Sequence, residues 1–161
     1  ASAASLLAAA RAGDEAEGAG PVLIDGSDNF VTKFAVADLA VAAGLRHVIA
    51  GVSRYGGQVF VGAPGAACYR CLFEGPPDDD AAPSCAEGGV LGAVVGAVGG
   101  LAARAALALA DGDLSAAGTV TVLADLRRSS ELRVVRFAPR PGCPACTAAA
   151  EPPVPALEER P

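Results

Sequence analysis

The residues with the most specific chemistry are four cysteines in two matched pairs, Cys68-Tyr69-Arg70-Cys71 and Cys143-Pro144-Ala145-Cys146. A Cys-x-x-Cys segment is a tight knuckle that turns two thiolates the same way, and two knuckles complete the tetrahedral four-sulfur set of a structural zinc ion. Zinc held at Cys68, Cys71, Cys143 and Cys146 ties the C-terminal region back to the middle of the chain and contributes folding energy. Arg70 and Arg140 are nearby cations that offset the negative charge of four thiolates around one zinc. A redox pair and four unrelated buried thiols are the alternatives, and the matched spacing of the two pairs favours the metal.

Cys85 is the cysteine left over. It follows Ser84, which with Glu87 three residues later and Pro83 just before forms a capping-box pattern. At the positive end of the helix so predicted, a thiolate is stabilised and becomes a nucleophile; a small buried hydrophobe is the alternative. Asp25 and Asp28 close an apolar run and open a helix, where parallel α/β sheets bind ligands and where a carboxylate can hold magnesium on nucleotide phosphates. Capping of that helix by Asp28 is the plainer reading. His47, the single histidine, lies in an apolar run and reads as a satisfied core residue.

These side chains need a framework. Residues 22–24 read as a strand, 30–43 as a helix stopped by Gly44, and 47–53 and 58–61 as strands joined through Tyr55-Gly56-Gly57. Strand, helix, strand predicts a parallel crossover followed by a hairpin-like turn. Residues 62–83 read as loop, 84–110 as the longest helix, and 119–124 and 131–137 as two further strands. Alanine propensity predicts a helix over residues 2–12, an acidic loop follows, and 139–161 read as an extended tail whose last part, 151–161, is flexible. Gly88, Gly92, Gly96 and Gly100 recur every four residues, predicting a side-chain-free stripe on the long helix for close backbone packing.

A length of 161 residues, 52% hydrophobic and 19% charged, fits one domain and excludes disorder of the whole chain. With only 4% aromatic residues and 20 glycines, the core is expected to use small side chains. A net charge of -6 and a pI near 4.7 argue against nucleic acid and against a basic membrane-binding surface. The uncharged run 88–103 is short of the roughly 20 residues of a membrane span, and Arg104 interrupts it. Arg11 follows the first apolar run instead of preceding it, which is not a signal-peptide pattern, so the expected location is cytoplasmic.

Three segments, with the two knuckles, carry a family resemblance. Asp25-Gly26-Ser27-Asp28-Asn29-Phe30 resembles an Asp-x-Thr/Ser-Asp-Asn segment, and Ser53-Arg54-Tyr55-Gly56-Gly57-Gln58-Val59 resembles an Arg-Phe-x-Gly-Gln-Val turn. Pro83-Ser84-Cys85-Ala86-Glu87-Gly88-Gly89-Val90-Leu91-Gly92 is similar to a cysteine helix start. In this order, over residues 22–146, they resemble the ThiF/MoeB/HesA-type sulfur-carrier adenylyltransferases, prokaryotic relatives of ubiquitin-activating enzymes. The resemblance implies an α/β, partial Rossmann-like fold with a mixed sheet, a long Gly-rich helix and a four-cysteine zinc site. It implies ATP- and magnesium-dependent adenylylation of the C-terminal Gly-Gly carboxylate of a ubiquitin-like sulfur carrier, in a molybdenum-cofactor, thiamine or other sulfur pathway. Asp28 would be the magnesium and ATP-site carboxylate, Asn29 and the basic Lys33 would lie at the nucleotide, and Cys85 would accept sulfur or the acyl group.

The family's Gly-rich ATP loop has no counterpart before Val22. Residues 1–150 are therefore expected to be the C-terminal part of such a domain, incomplete alone and working as a homodimer or with a nucleotide-binding chain. The competing expectation is a non-catalytic, zinc-stabilised module that holds a ubiquitin-like tail or such a partner chain.

Overall fold

The computed structural model describes residues 5, 8, 20–77 and 88–149. In chain order its elements are β1 (Val22–Asp25), α1 (Phe30–Ala42), β2 (Arg46–Ser53), β3 (Gly56–Gly62), α2 (Tyr69–Leu72), α3 (Gly92–Ala110), β4 (Thr119–Leu123), β5 (Leu132–Arg136) and α4 (Pro144–Ala149). Of the helix expected over residues 2–12, only Ser5 and Ala8 are described, and both are helical. The tail beyond residue 149 lies outside the described residues.

The five strands form one mixed sheet in the order β1-β2-β3-β4-β5. β1 runs parallel to β2 across the α1 crossover, as strand, helix, strand predicted, and the remaining pairs are antiparallel. Val48, Val59 and Val61 point to one face and meet Val94, Val98, Ala102, Ala106 and Leu109 of α3. Ile49 and Phe60 point to the other face and meet Phe34 and Ala37 of α1, with Tyr69 of α2. Burial on both faces is why these strands read as unbroken apolar runs instead of alternating ones. The α3 side uses small residues, as the composition predicts; on the α1 side Tyr69 packs edge-on against Phe34 and Phe60, with ring centroids 5.1 and 5.4 Å apart.

Both main helices stop by the same device. Gly44 takes φ +66° after α1, and the N–H groups of Gly44 and Leu45 donate to the carbonyls of Val41 and Ala40. Gly112, at φ +85°, does the same after α3, with Gly112 and Asp113 donating to Leu109 and Ala108. Glycine occupies this left-handed position without the Cβ clash that other residues meet there.

The long helix differs from expectation at its start. It begins at Gly92 and not at residue 84, and Leu91 precedes it with no side-chain cap. The competing interaction is tertiary: Leu91 donates its N–H to the Arg54 carbonyl, Val90 bridges to Arg54, and Gly89 turns the chain at φ +66°. A helical run through 89–91 would forfeit those bonds to the β2–β3 turn.

From Gly92 onward the glycine stripe takes no part in packing among the described residues. Among the described residues a Cβ added at Gly92, Gly96 or Gly100 would meet nothing within 4 Å, while Val94, Val98, Ala102 and Ala106 form the buried stripe. In the monomeric chain, Gly96→Ala is therefore expected to raise the melting temperature by about 2–4 °C, from about 1 kcal/mol of helix propensity. A fall in differential scanning calorimetry would show a second subunit packed against the stripe. α3 is long and apolar enough to cross a membrane by length and composition, but here it packs along the sheet.

Gly56 shows the opposite environment. A Cβ there would run into the backbone carbonyl oxygens of Leu123 and Ala124 across β3 and β4. Gly56→Ala is expected to cost about 2–3 kcal/mol, read as a fall of roughly 5–10 °C in melting temperature.

Candidate functional site

The two cysteine knuckles come together. Cys68 precedes the single-turn helix α2, which carries Cys71; Cys143 precedes α4, which carries Cys146. Residues 144–149, expected as extended tail, instead form this helix, because Pro144 fits the first helical position and leads an alanine-rich run. The sulfur separations are 3.7 Å for Cys68 and Cys71, 3.6 Å for Cys68 and Cys143, and 3.5 Å for Cys71 and Cys146. All four sulfurs lie within 4.8 Å of one another, too far for disulfides and close enough to share one metal ion.

The surroundings suit a cluster of thiolates. The backbone N–H of Arg140 donates to Cys71 Sγ at 3.3 Å, and the Arg140 guanidinium donates to the Arg70 carbonyl. Arg70 makes two bonds to Asp38 of α1, at 2.7 and 2.8 Å, joining the knuckle to the helix above it. Burial pushes the Cys68 thiol up. Burial acts upward on Cys143 also, but the backbone N–H groups of Cys146 and Ala145 at the start of α4, with the neighbouring thiols, bring it down to about 7.

The second group of residues lies at the carboxyl end of β1. Asp28 is exposed in the turn between β1 and α1. Asn29, not Asp28, caps α1, its Oδ1 accepting the Thr32 N–H at 2.8 Å. Asp25 is buried; its Oδ1 accepts the Ser27 N–H at 3.2 Å and its Oδ2 accepts from Lys33 Nζ at 3.0 Å. Lys33 is also buried, pointing into the protein between Asp25 and the Ala50 carbonyl. Sequence reasoning named both residues but missed the pair, because they sit eight residues apart in different elements.

Cys85, with Ser84 and Glu87, lies outside the described residues. The helix whose positive end was expected beside it starts at Gly92. His47 is buried as expected and only half satisfied: Nδ1 lies 3.2 Å from the Leu45 carbonyl, and Nε2 has no partner among the described residues. Burial lowers its pKa, so the ring is held neutral.

A mixed sheet with an exposed turn after its parallel strand, joined to a four-cysteine cluster, defines a class for which comparison gives the family. The ThiF family matches residues 14–145, and the chain belongs to it. It is 41% identical over 128 residues to the adenylyltransferase and sulfurtransferase MOCS3 of Bos taurus, covering 78% of this chain and 28% of that protein. It is 40% identical over 133 residues to the sulfur carrier protein adenylyltransferase of Thermus thermophilus, covering 78% of this chain and 48% of that protein. The chain thus spans less than half the length of these relatives. Among solved structures, E. coli MccB with MccA-N7isoAsn superposes with a TM-score of 0.62 over 79% of this chain and 41% of that one, at 11% identity, which supports the fold alone. MccB with ATP superposes with a TM-score of 0.61, at 12% identity and over 79% of this chain and 39% of that one.

Proposed function

We propose that this chain carries the C-terminal part, residues 1–150, of a cytoplasmic sulfur-carrier adenylyltransferase. Its substrates are magnesium-bound ATP and the C-terminal Gly-Gly carboxylate of a ubiquitin-like carrier protein. The observation that carries this reading is Asp28, exposed in the turn that leaves the carboxyl end of β1, within the stretch matched to the ThiF family. Two relatives are named for adenylylation, one of them for a sulfur carrier, which supports the same substrate class.

A carboxylate oxygen of the carrier attacks the α-phosphorus of ATP. The bond from that phosphorus to the bridging oxygen of the β-phosphate breaks, and pyrophosphate leaves with the electron pair. Magnesium, when bound, neutralises the phosphate oxygens and the departing pyrophosphate. Asp28 would hold it, with Asn29 fixing the turn beside it. Cys85 is proposed to accept the acyl group, its thiolate attacking the carbonyl carbon of the adenylate as AMP leaves, or to accept a sulfane sulfur from a separate persulfide donor whose thiolate leaves. No Gly-rich phosphate loop lies within residues 20–149, so the groups that cradle the phosphates are proposed to come from outside them.

The four cysteines are assigned to structural zinc. Zinc–sulfur bonds of about 2.3 Å place tetrahedral sulfurs about 3.8 Å apart, close to the 3.5–3.7 Å separations seen. All four positions are filled by thiolates, so the ion is a staple and not a catalyst.

The reaction is tested by mass spectrometry of the carrier after incubation with Mg-ATP and the intact protein in which the chain occurs. A mass gain of one adenylyl group at the carrier's C-terminal peptide is expected. An unmodified carrier that nonetheless binds the chain would favour the non-catalytic module.

A further inference from the structure

We propose that Asp25 and Lys33 form a buried positioning pair that presets the Asp28 turn, and that Lys33 does not itself touch the nucleotide. The inference rests on the reading of Asp28 as the carboxylate of the magnesium–ATP site, and it replaces the expectation that Lys33 binds the cofactor directly.

The turn from Gly26 to Asn29 is clamped at both ends by side chains whose own positions are fixed. At its start, Asp25 Oδ1 holds the Ser27 N–H at 3.2 Å. At its end, Asn29 Oδ1 holds the Thr32 N–H at 2.8 Å, and the Asn29 carbonyl accepts the Lys33 N–H at 3.3 Å. Asp28 is exposed between these clamps.

In that buried place the Asp25 carboxylate is paired with an ammonium. Lys33 Nζ lies 3.0 Å from Asp25 Oδ2, and both side chains are more than nine-tenths buried. The same ammonium donates to the Ala50 carbonyl, so the pair also joins the turn to β2. The aliphatic stem of Lys33 runs beside Gly51, where a Cβ would stand 3.6 Å from Lys33 Cε. To reach a phosphate, Lys33 would have to leave Asp25 as an unpaired buried carboxylate, which is strongly unfavourable.

A charge-removal cycle in the intact protein tests this: Asp25→Asn, Lys33→Met and the double variant. The readouts are the magnesium concentration that half-saturates ATP–pyrophosphate exchange and the melting temperature. Each single variant strands one buried charge and is expected to raise the half-saturating magnesium concentration about tenfold or more. In the double variant the amide introduced by Asp25→Asn would still accept the Ser27 N–H and no charge would be stranded, so the requirement returns to within about threefold of the parent.

A double variant that folds but still needs about ten times the magnesium would show that Lys33 contacts the nucleotide, and would overturn the proposal. Folded single variants with parental magnesium dependence would overturn it too, as would a double variant that does not fold. If the single variants alone fail to fold, the double variant decides. Asp28→Ala, run in parallel, separates the two layers. Unchanged magnesium dependence there removes the metal-site reading itself, whereas a loss there with no effect in the pair variants removes only the positioning role.

Discussion

Replacing Cys143 by serine is expected to remove stoichiometric zinc and to lower the melting temperature by roughly 10–20 °C. The size follows from what the ion joins. Cys143 is buried and precedes α4, while its partners Cys68, just before α2, and Cys71, within it, lie far earlier in the chain, at sequence separations of 75 residues for two of the sulfur pairs. Zinc contributes about 10–16 kcal/mol to the folding of small zinc peptides, so even a third of that, about 3–5 kcal/mol, is a large share of a domain's stability. Loss of the ion also frees the segment around Arg140 and α4, which holds to α2 through the Arg140 N–H on Cys71 Sγ and the Arg140 guanidinium on the Arg70 carbonyl. Metal analysis of protein purified without chelator, paired with calorimetry, checks both effects. One zinc per chain retained in Cys143→Ser, with an unchanged melting temperature, would contradict the assignment.

Asp28→Ala is expected to separate activity from stability. Removing a carboxylate that acts through a metal on the transferring phosphate costs about 3 kcal/mol of transition-state stabilisation, or about 10²-fold in rate. The fold should not notice, since Asp28 is exposed and Asn29 caps α1. Asn29→Ala should show the reverse emphasis, losing about 1 kcal/mol of stability with the cap. Exchange rates and melting curves on the two variants give the comparison. An Asp28→Ala protein with parental exchange kinetics would remove Asp28 from the reaction.

What was legible in the sequence had a local cause. The α1 helix and its end at Gly44 were readable because apolar periodicity and a left-handed glycine act within a few residues. The meeting of the two cysteine knuckles was readable because the spacing within each pair is itself the geometric requirement of a shared metal site. The misreadings came where a distant partner decided the outcome. The capping-box pattern at Ser84 and Glu87 suggested one continuous helix, but pairing of Val90 and Leu91 with Arg54 starts the helix later. Within the described chain the buried stripe of that helix is Val94, Val98, Ala102 and Ala106, which have the same four-residue period as the glycines. The helix at Pro144 carried a local signal, proline followed by alanine, that the surrounding prolines obscured. The Asp25–Lys33 pair carried none, since nothing in the spacing shows that a lysine of α1 turns toward β1 and β2.

The most direct measurement is carrier-dependent exchange of labelled pyrophosphate into ATP by the intact protein, with the carrier's C-terminal Gly-Gly either present or removed. Exchange that requires magnesium, the carrier and its terminal glycines, and that falls about 10²-fold in Asp28→Ala, is the predicted result. Exchange that proceeds equally well without the carrier, or no exchange from a folded, zinc-loaded protein supplied with it, would contradict the assignment of carrier adenylylation.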